Sequence, residues 1–171
     1  RAEIEDWWCL IDCWARIGRY DRIDAALNER LQAYPEDPTV HSALGRMALW
    51  RGNTQQAAAA AEAALRFDSG HREAHFIVGA VAVLEGRSEG AERPLERAIE
   101  GDGPTRWLAI DAAWTFRACM LRALGKHHEG KAAASSAMFH AQDYNVSAHV
   151  ARITNAFHTT PKGDAIDARH L

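Results

Sequence analysis

A few side chains in this sequence of 171 residues stand at spacings that could support chemistry. His71 and His75 lie four apart near an expected helix start, a spacing that can offer two imidazoles to one metal ion. Cys9 and Cys13 share that spacing, but no further Cys or His is near enough in sequence to complete four ligands. They read as two small half-buried thiols. His41 recurs one period before His75, which favours a repeated packing role for both rings over a metal site. His127-His128-Glu129 follows a glycine and reads as a solvated helix start, with Glu129 favourable beside the helix dipole. Ser135-Ser136 sit in an Ala-rich stretch as surface fillers. There is no Gly-rich phosphate loop, no His-Glu-x-x-His helix and no Gly-x-Ser-x-Gly elbow. No catalytic residue, metal ligand or cofactor is assigned, and the chain is expected not to be an enzyme.

Whatever the chain does must then come from its surfaces, and composition bounds what those are. Hydrophobic residues make up 47% and charged residues 25%, which excludes a disordered or collagen-like chain. Alanine fills about a fifth of the positions while Val and Thr are sparse, a bias toward helix and against a large sheet. The net charge is −3 with acids and bases interleaved, so nucleic acid finds no basic patch. No stretch approaches the ~20 apolar residues that a membrane span requires. Three cysteines cannot make a disulfide framework, which points to a reducing, cytoplasmic compartment. Residue 1 is Arg and no secretory leader follows, so the sequence reads as a piece of a longer protein.

Self-similarity is the strongest signal. Residues 4–37, 38–71 and 72–105 superimpose without gaps at a period of 34. Trp7, His41 and His75 share the fourth position; Leu10, Leu44 and Val78 share the seventh, beside Ile11, Gly45 and Gly79. Gly18, Gly52 and Gly86 fall where a first helix must stop, since glycine takes the left-handed conformation at low cost. Ile23, Ala57 and Ala91 follow at the twentieth position, and Arg30, Ala64 and Ala98 at the twenty-seventh.

Each unit reads as two amphipathic helices joined by a short turn. Trp7, Leu10, Ile11, Trp14 and Ile17 form one apolar stripe at helical spacing. Asp37 suits an N-cap and Pro38 the first helical residue. Gly45 and Gly79 should let the helices carrying Ala57 and Ala91 approach closely, whereas Ile11 meets Ile23 in the first unit. Pro94 removes one hydrogen bond and kinks its helix or delays its start. The next stop glycine, Gly125, comes five positions later than the period counted from Gly86 requires, and the extra residues fall at 101–105. Residues 106–124, with Trp107, Ile110, Trp114, Ala118 and Leu121 on one face, then pair with a helix over roughly 127–141 through Ala134, Ala137 and Met138. A helix over 145–158, with Val146, Val150, Ile153 and Phe157 along one side, caps the stack. Residues 159–171 read as a polar tail or linker.

This pattern, with Leu44-Gly45, Ala48, Gly52, Ala57 and Ala64, resembles the tetratricopeptide repeat. The resemblance is strong over 4–105 and looser over the divergent fourth unit, 106–142, where Arg117 replaces the usual Leu and Gly130 the usual Ala. It implies an all-α, right-handed superhelix of about four helix pairs over residues 1–158, with the capping helix at its end. It also implies a concave groove lined by set positions of each first helix. Carried over, these include Trp8, Asp12 and Arg16, then Ser42, Arg46 and Trp50, then Phe76 and Leu84, then Thr115 and Arg122. Glu73 shares that face. Trp8, Trp50 and Phe76 would be large aromatics outside the core, beside Arg16, Arg46 and Arg122, the residue types that dominate binding hot spots. The family's chaperone-tail carboxylate clamp is absent, because Trp8, Asp12 and Ala43 stand where it needs Lys and two Asn.

The resemblance implies a protein-interaction module whose partner peptide combines an apolar anchor with a carboxylate. Arg46→Glu would weaken such binding with little effect on folding. Two alternatives remain: an arm of a larger enzyme fused to this chain, or a type III secretion chaperone.

Overall fold

The computed structural model describes residues 10, 11, 13, 14, 17–102 and 110–140. Seven helices account for nearly all of them: α1 (Tyr20–Ala33), α2 (Pro38–Trp50), α3 (Thr54–Phe67), α4 (Arg72–Leu84), α5 (Ser88–Glu100), α6 (Ile110–Ala123) and α7 (His127–His140). Leu10, Ile11, Cys13 and Trp14 are also helical, and no strand occurs among the described residues. None of these helices is long and apolar enough to cross a membrane.

The period of 34 in the sequence is the period of the helices. α1, α3 and α5 begin at Tyr20, Thr54 and Ser88; α2 and α4 begin at Pro38 and Arg72 and end at Trp50 and Leu84. α7 begins at His127, five positions later than the period counted from Ser88 requires, the offset set by the insertion. The same joint ends each first helix. Gly18, Gly52, Gly86 and Gly125 all sit at φ between 72° and 76°. The amide after each glycine donates to a carbonyl five residues back: Arg19 to Trp14 at 2.8 Å, Asn53 to Ala48 at 2.9 Å, Arg87 to Ala82 at 2.8 Å and Lys126 to Leu121 at 2.9 Å. This satisfies carbonyls that a helix end would otherwise leave bare. At the other ends, Asp37 Oδ1 accepts from Thr39 N at 2.9 Å ahead of Pro38, and Asn53 Oδ1 accepts from Gln56 N at 3.0 Å.

α2 packs on α3, α4 on α5 and α6 on α7; α3 then meets α4, and α5 meets α6. α2 also touches α4, and α4 touches α6, so the first helices form a continuous row. The second helices contribute mostly alanine: Ala57, Ala61 and Ala64 on α3, Ala91 and Ala98 around Leu95 on α5, and Ala133, Ala134 and Ala137 on α7. Small side chains bring backbones close. A β-carbon at Gly45 would lie 3.3 Å from the Ala57 carbonyl oxygen and 3.1 Å from Ile77 Cδ1. A smaller core of Ile11, Ile23, Ala26, Leu27, Val40 and Met47 joins the first unit to the second.

Several sequence expectations need correcting. The nearest neighbour of Gly79 is Leu95, one turn beyond Ala91, with Leu95 Cγ only 2.6 Å from where a β-carbon would stand. Pro94 does not delay α5, which starts at Ser88 in phase and runs through the proline to Glu100. The stripe of the first unit is only partly buried. Ile17, in the turn before Gly18, is 70% exposed, and Leu10 is exposed as well. Met138, placed with Ala134 and Ala137 in the pairing face of α7, is exposed instead, one position off the buried stripe. Trp7, Trp107, the capping helix 145–158 and the tail 159–171 lie outside the described residues.

Candidate functional site

The groove positions fall on the row formed by α2, α4 and α6, and the row is tighter than an open groove. Ser42 is fully buried, and its hydroxyl donates to the Thr39 carbonyl at 3.0 Å. Phe76 is 5% exposed and belongs to the main core, its ring 5.7 Å from Phe116 in an edge-to-face contact. Thr115 is 2% exposed, its hydroxyl oxygen buried and without a hydrogen-bond partner among the described residues. Arg122 is buried and Leu84 half-buried. Direct contact between successive first helices, which a list of groove positions does not encode, is the physical reason. Trp8, Asp12 and Arg16 lie outside the described residues.

Three of the ten positions do come together. Arg46 on α2 places its guanidinium 6.0 Å from the Trp50 ring centre and 6.0 Å from that of Phe76. Its Nε lies 2.5 Å from Glu73 Oε1 on α4, with both side chains largely buried. Arg46 is therefore not a free groove cation, and Arg46→Glu cannot leave folding unchanged as the sequence suggested. The pair is a charge contact rather than an aligned fork, since Arg46 Nε and Nη2 and Glu73 Oε1 have no hydrogen bond of good geometry. Such a contact is weaker than a bidentate pair.

Trp50, the last residue of α2, is 57% exposed, while Phe76, the other described aromatic of the expected groove, is buried. Tyr20, the first residue of α1, stands edge-on to it at 6.5 Å with an interplanar angle of 70°, and is itself 46% exposed. Sequence reasoning missed Tyr20. The signal was its place two residues after a stop glycine, where the chain turns back toward the end of the next first helix.

The groups with chemical potential are held by structure. His75 Nε2 lies 2.9 Å from the Ser69 carbonyl oxygen, and His41 Nε2 lies 2.7 Å from that of Pro35, the same contact six residues back in both units. Burial pushes the His75 imidazole below its ordinary value. His71 is the N-cap of α4, its ring nitrogen accepting from Ala74 N at 3.4 Å. Ser135 and Ser136 donate to the carbonyls of Lys131 and Ala132. Burial pushes the Cys119 thiol up to about 11, against the opposing pull of Arg122, so it is protonated and inert at neutral pH. Among the described residues no three His, Cys, Asp or Glu side chains are placed to hold a metal ion. No protein-family profile matches the chain, and no curated protein matches it in sequence.

Proposed function

We propose that this chain is a non-catalytic protein-interaction module of the tetratricopeptide kind. Its helix pairs would wind as a right-handed superhelix, and it would bind a peptide or partner protein on the side carrying the first helices. The helix phase of 34 and the four identical glycine joints support the repeat assignment.

The observation that carries the binding reading is Trp50. A large aromatic left 57% exposed at a groove position, with an arginine beneath its ring, has the makeup of an interface hot spot. Because Glu73 already meets the charge of Arg46, the apolar anchor of the expected partner weighs more than its carboxylate. Selection of displayed random peptides on the immobilised protein tests the reading. Enriched peptides should lose at least about tenfold in affinity on Trp50→Ala, the loss expected of a hot-spot aromatic. Peptide families that bind the wild type and Trp50→Ala alike would reject the site.

A further inference from the structure

α6 is the last first helix among the described residues, yet the side of it that faces onward is covered. Each first helix meets the next along matching positions: Arg46 on α2 reaches Glu73 on α4, and Phe76 on α4 reaches Phe116 on α6. Counted with the insertion, Ser42 and Phe76 correspond to Thr115, Arg46 and Ala80 to Cys119, and Leu49 and Val83 to Arg122. Thr115, Cys119 and Arg122 are all buried, although no described first helix follows α6. Cys119, alone among the described buried apolar side chains, joins none of the cores that the others form. The buried Thr115 hydroxyl has no hydrogen-bond partner among the described residues.

The structure holds one chain, so the cover belongs to that chain. Residues 1–9 precede the first unit, at the other end of the row. Residues 103–109 are tied at both ends, to the end of α5 and the start of α6. Out and back, so short a stretch reaches about 12 Å, whereas Arg122 lies about 18 Å along α6 from Ile110. That leaves the chain after His140. Four residues join α1 to α2, and four join α3 to α4. The same step from His140 arrives at Asn145, where the stripe of Val146, Val150, Ile153 and Phe157 begins. Its spacing of four, three and four repeats the four and three that separate Thr115, Cys119 and Arg122, so the two ridges match.

We infer that residues 145–158 pack along this stripe of α6 as the first helix of a further unit and close the row at that end. Burial of the four apolar side chains drives the docking, and they cover Cys119. Thr115 and Arg122 then belong to a packed joint and are withdrawn from any partner, while Trp50 stays open. The inference stands independently of partner binding at Trp50.

Cys119 is the reporter. In the full chain carrying Cys9→Ser and Cys13→Ser, one cysteine at a time is introduced on the apolar side of the segment (Val146→Cys, Val150→Cys or Ile153→Cys) or on its polar side (Ser147→Cys, Arg152→Cys or Asn155→Cys). A disulfide needs Cα atoms within about 7 Å. Under mild oxidation at least one apolar-side variant should bond to Cys119, and no polar-side variant should. No bond from the apolar side, or bonds from both sides alike, overturns the inference. A second measurement follows the rate at which Cys119 reacts with a thiol reagent. Val150→Asp/Ile153→Asp in the full chain should raise that rate at least about tenfold, because the covering helix opens locally. A lone thiol at Ala61→Cys, in α3 and with Cys119→Ser, should stay as protected as before. An unchanged Cys119 rate also overturns the inference. A rise at both sites shows that the whole array has unfolded, and the disulfide pattern alone then decides.

Discussion

Arg46 Nε lies 2.5 Å from Glu73 Oε1 and so ties α2 to α4 by a largely buried ion pair across two units. Removing one partner leaves an uncompensated buried charge, which typically costs about 3–5 kcal/mol. The unaligned geometry places this pair at the lower end, so Arg46→Ala and Glu73→Ala should each destabilise by about 3 kcal/mol. The double variant Arg46→Met/Glu73→Leu should recover most of that loss, because two apolar groups leave no charge stranded. Urea unfolding of the three variants checks it. A double variant as unstable as the sum of the single ones would show that the pair adds nothing by its mutual contact.

Gly79 and Gly45 should respond differently to alanine. A β-carbon at Gly79 meets Leu95 Cγ at 2.6 Å and the Leu95 backbone nitrogen at 3.3 Å, so α4 and α5 must part. Overpacking of that kind costs about 1–3 kcal/mol. At Gly45 the tightest contacts are the mobile end of Ile77 at 3.1 Å and the Ala57 carbonyl oxygen at 3.3 Å, with no overlap like that at Gly79, and the gain in helix propensity of up to about 1 kcal/mol offsets most of the strain. Thermal melts should show Gly79→Ala clearly below wild type and Gly45→Ala close to it. Equal losses would refute the contrast.

The turn glycines separate from the helical ones by backbone alone. Gly52 has open space around it but φ at 74°, so Gly52→Ala should cost about 1–2 kcal/mol through the left-handed conformation. Gly90, exposed in the first turn of α5 and equally uncrowded, lacks that constraint; Gly90→Ala should stabilise by up to about 1 kcal/mol. Denaturant midpoints moving in opposite directions would bear this out.

Stability should fall on mild acidification. Burial lowers the His75 pKa in the folded chain below the ordinary value near 6.5, with Arg97 and His71 acting in the same direction and the Ser69 carbonyl and Asp68 opposing them. As pH drops below that ordinary value, the unfolded chain takes up a proton that the folded chain resists, so the equilibrium shifts toward unfolding. The contribution is complete above about pH 6.5 and is lost as pH falls toward the depressed folded value. Urea midpoints measured from pH 7.5 down to 5 should decline for wild type and decline less for His75→Leu. Parallel profiles would exclude His75 as the titrating group.

The sequence disclosed what is local and periodic. The stop glycines, the Asp37 cap before Pro38, the five-residue insertion and the alanine stripe of α3 are all properties of a residue and its near neighbours. What it withheld depends on how far one helix is rotated or pressed against another. The tightest contact at Gly79 is with Leu95, one helical turn beyond the Ala91 that the repeat spacing points to. Phe76 is buried because Phe116, from the following unit, comes edge-on to it. Glu73 was placed on the right face, but its pairing with Arg46 joins neighbouring units and follows only once α2 and α4 touch. Of the candidate site, Trp50 was legible by position, and its neighbour Tyr20 was not.

The identical glycine joints at 18, 52, 86 and 125 bear on how such a chain could have grown. Each joint satisfies its own carbonyls locally, and it has the same shape on both sides of the five-residue insertion. A whole block copied or deleted would therefore arrive with its corners already formed. Only the faces where one block meets the next then need contacts of their own.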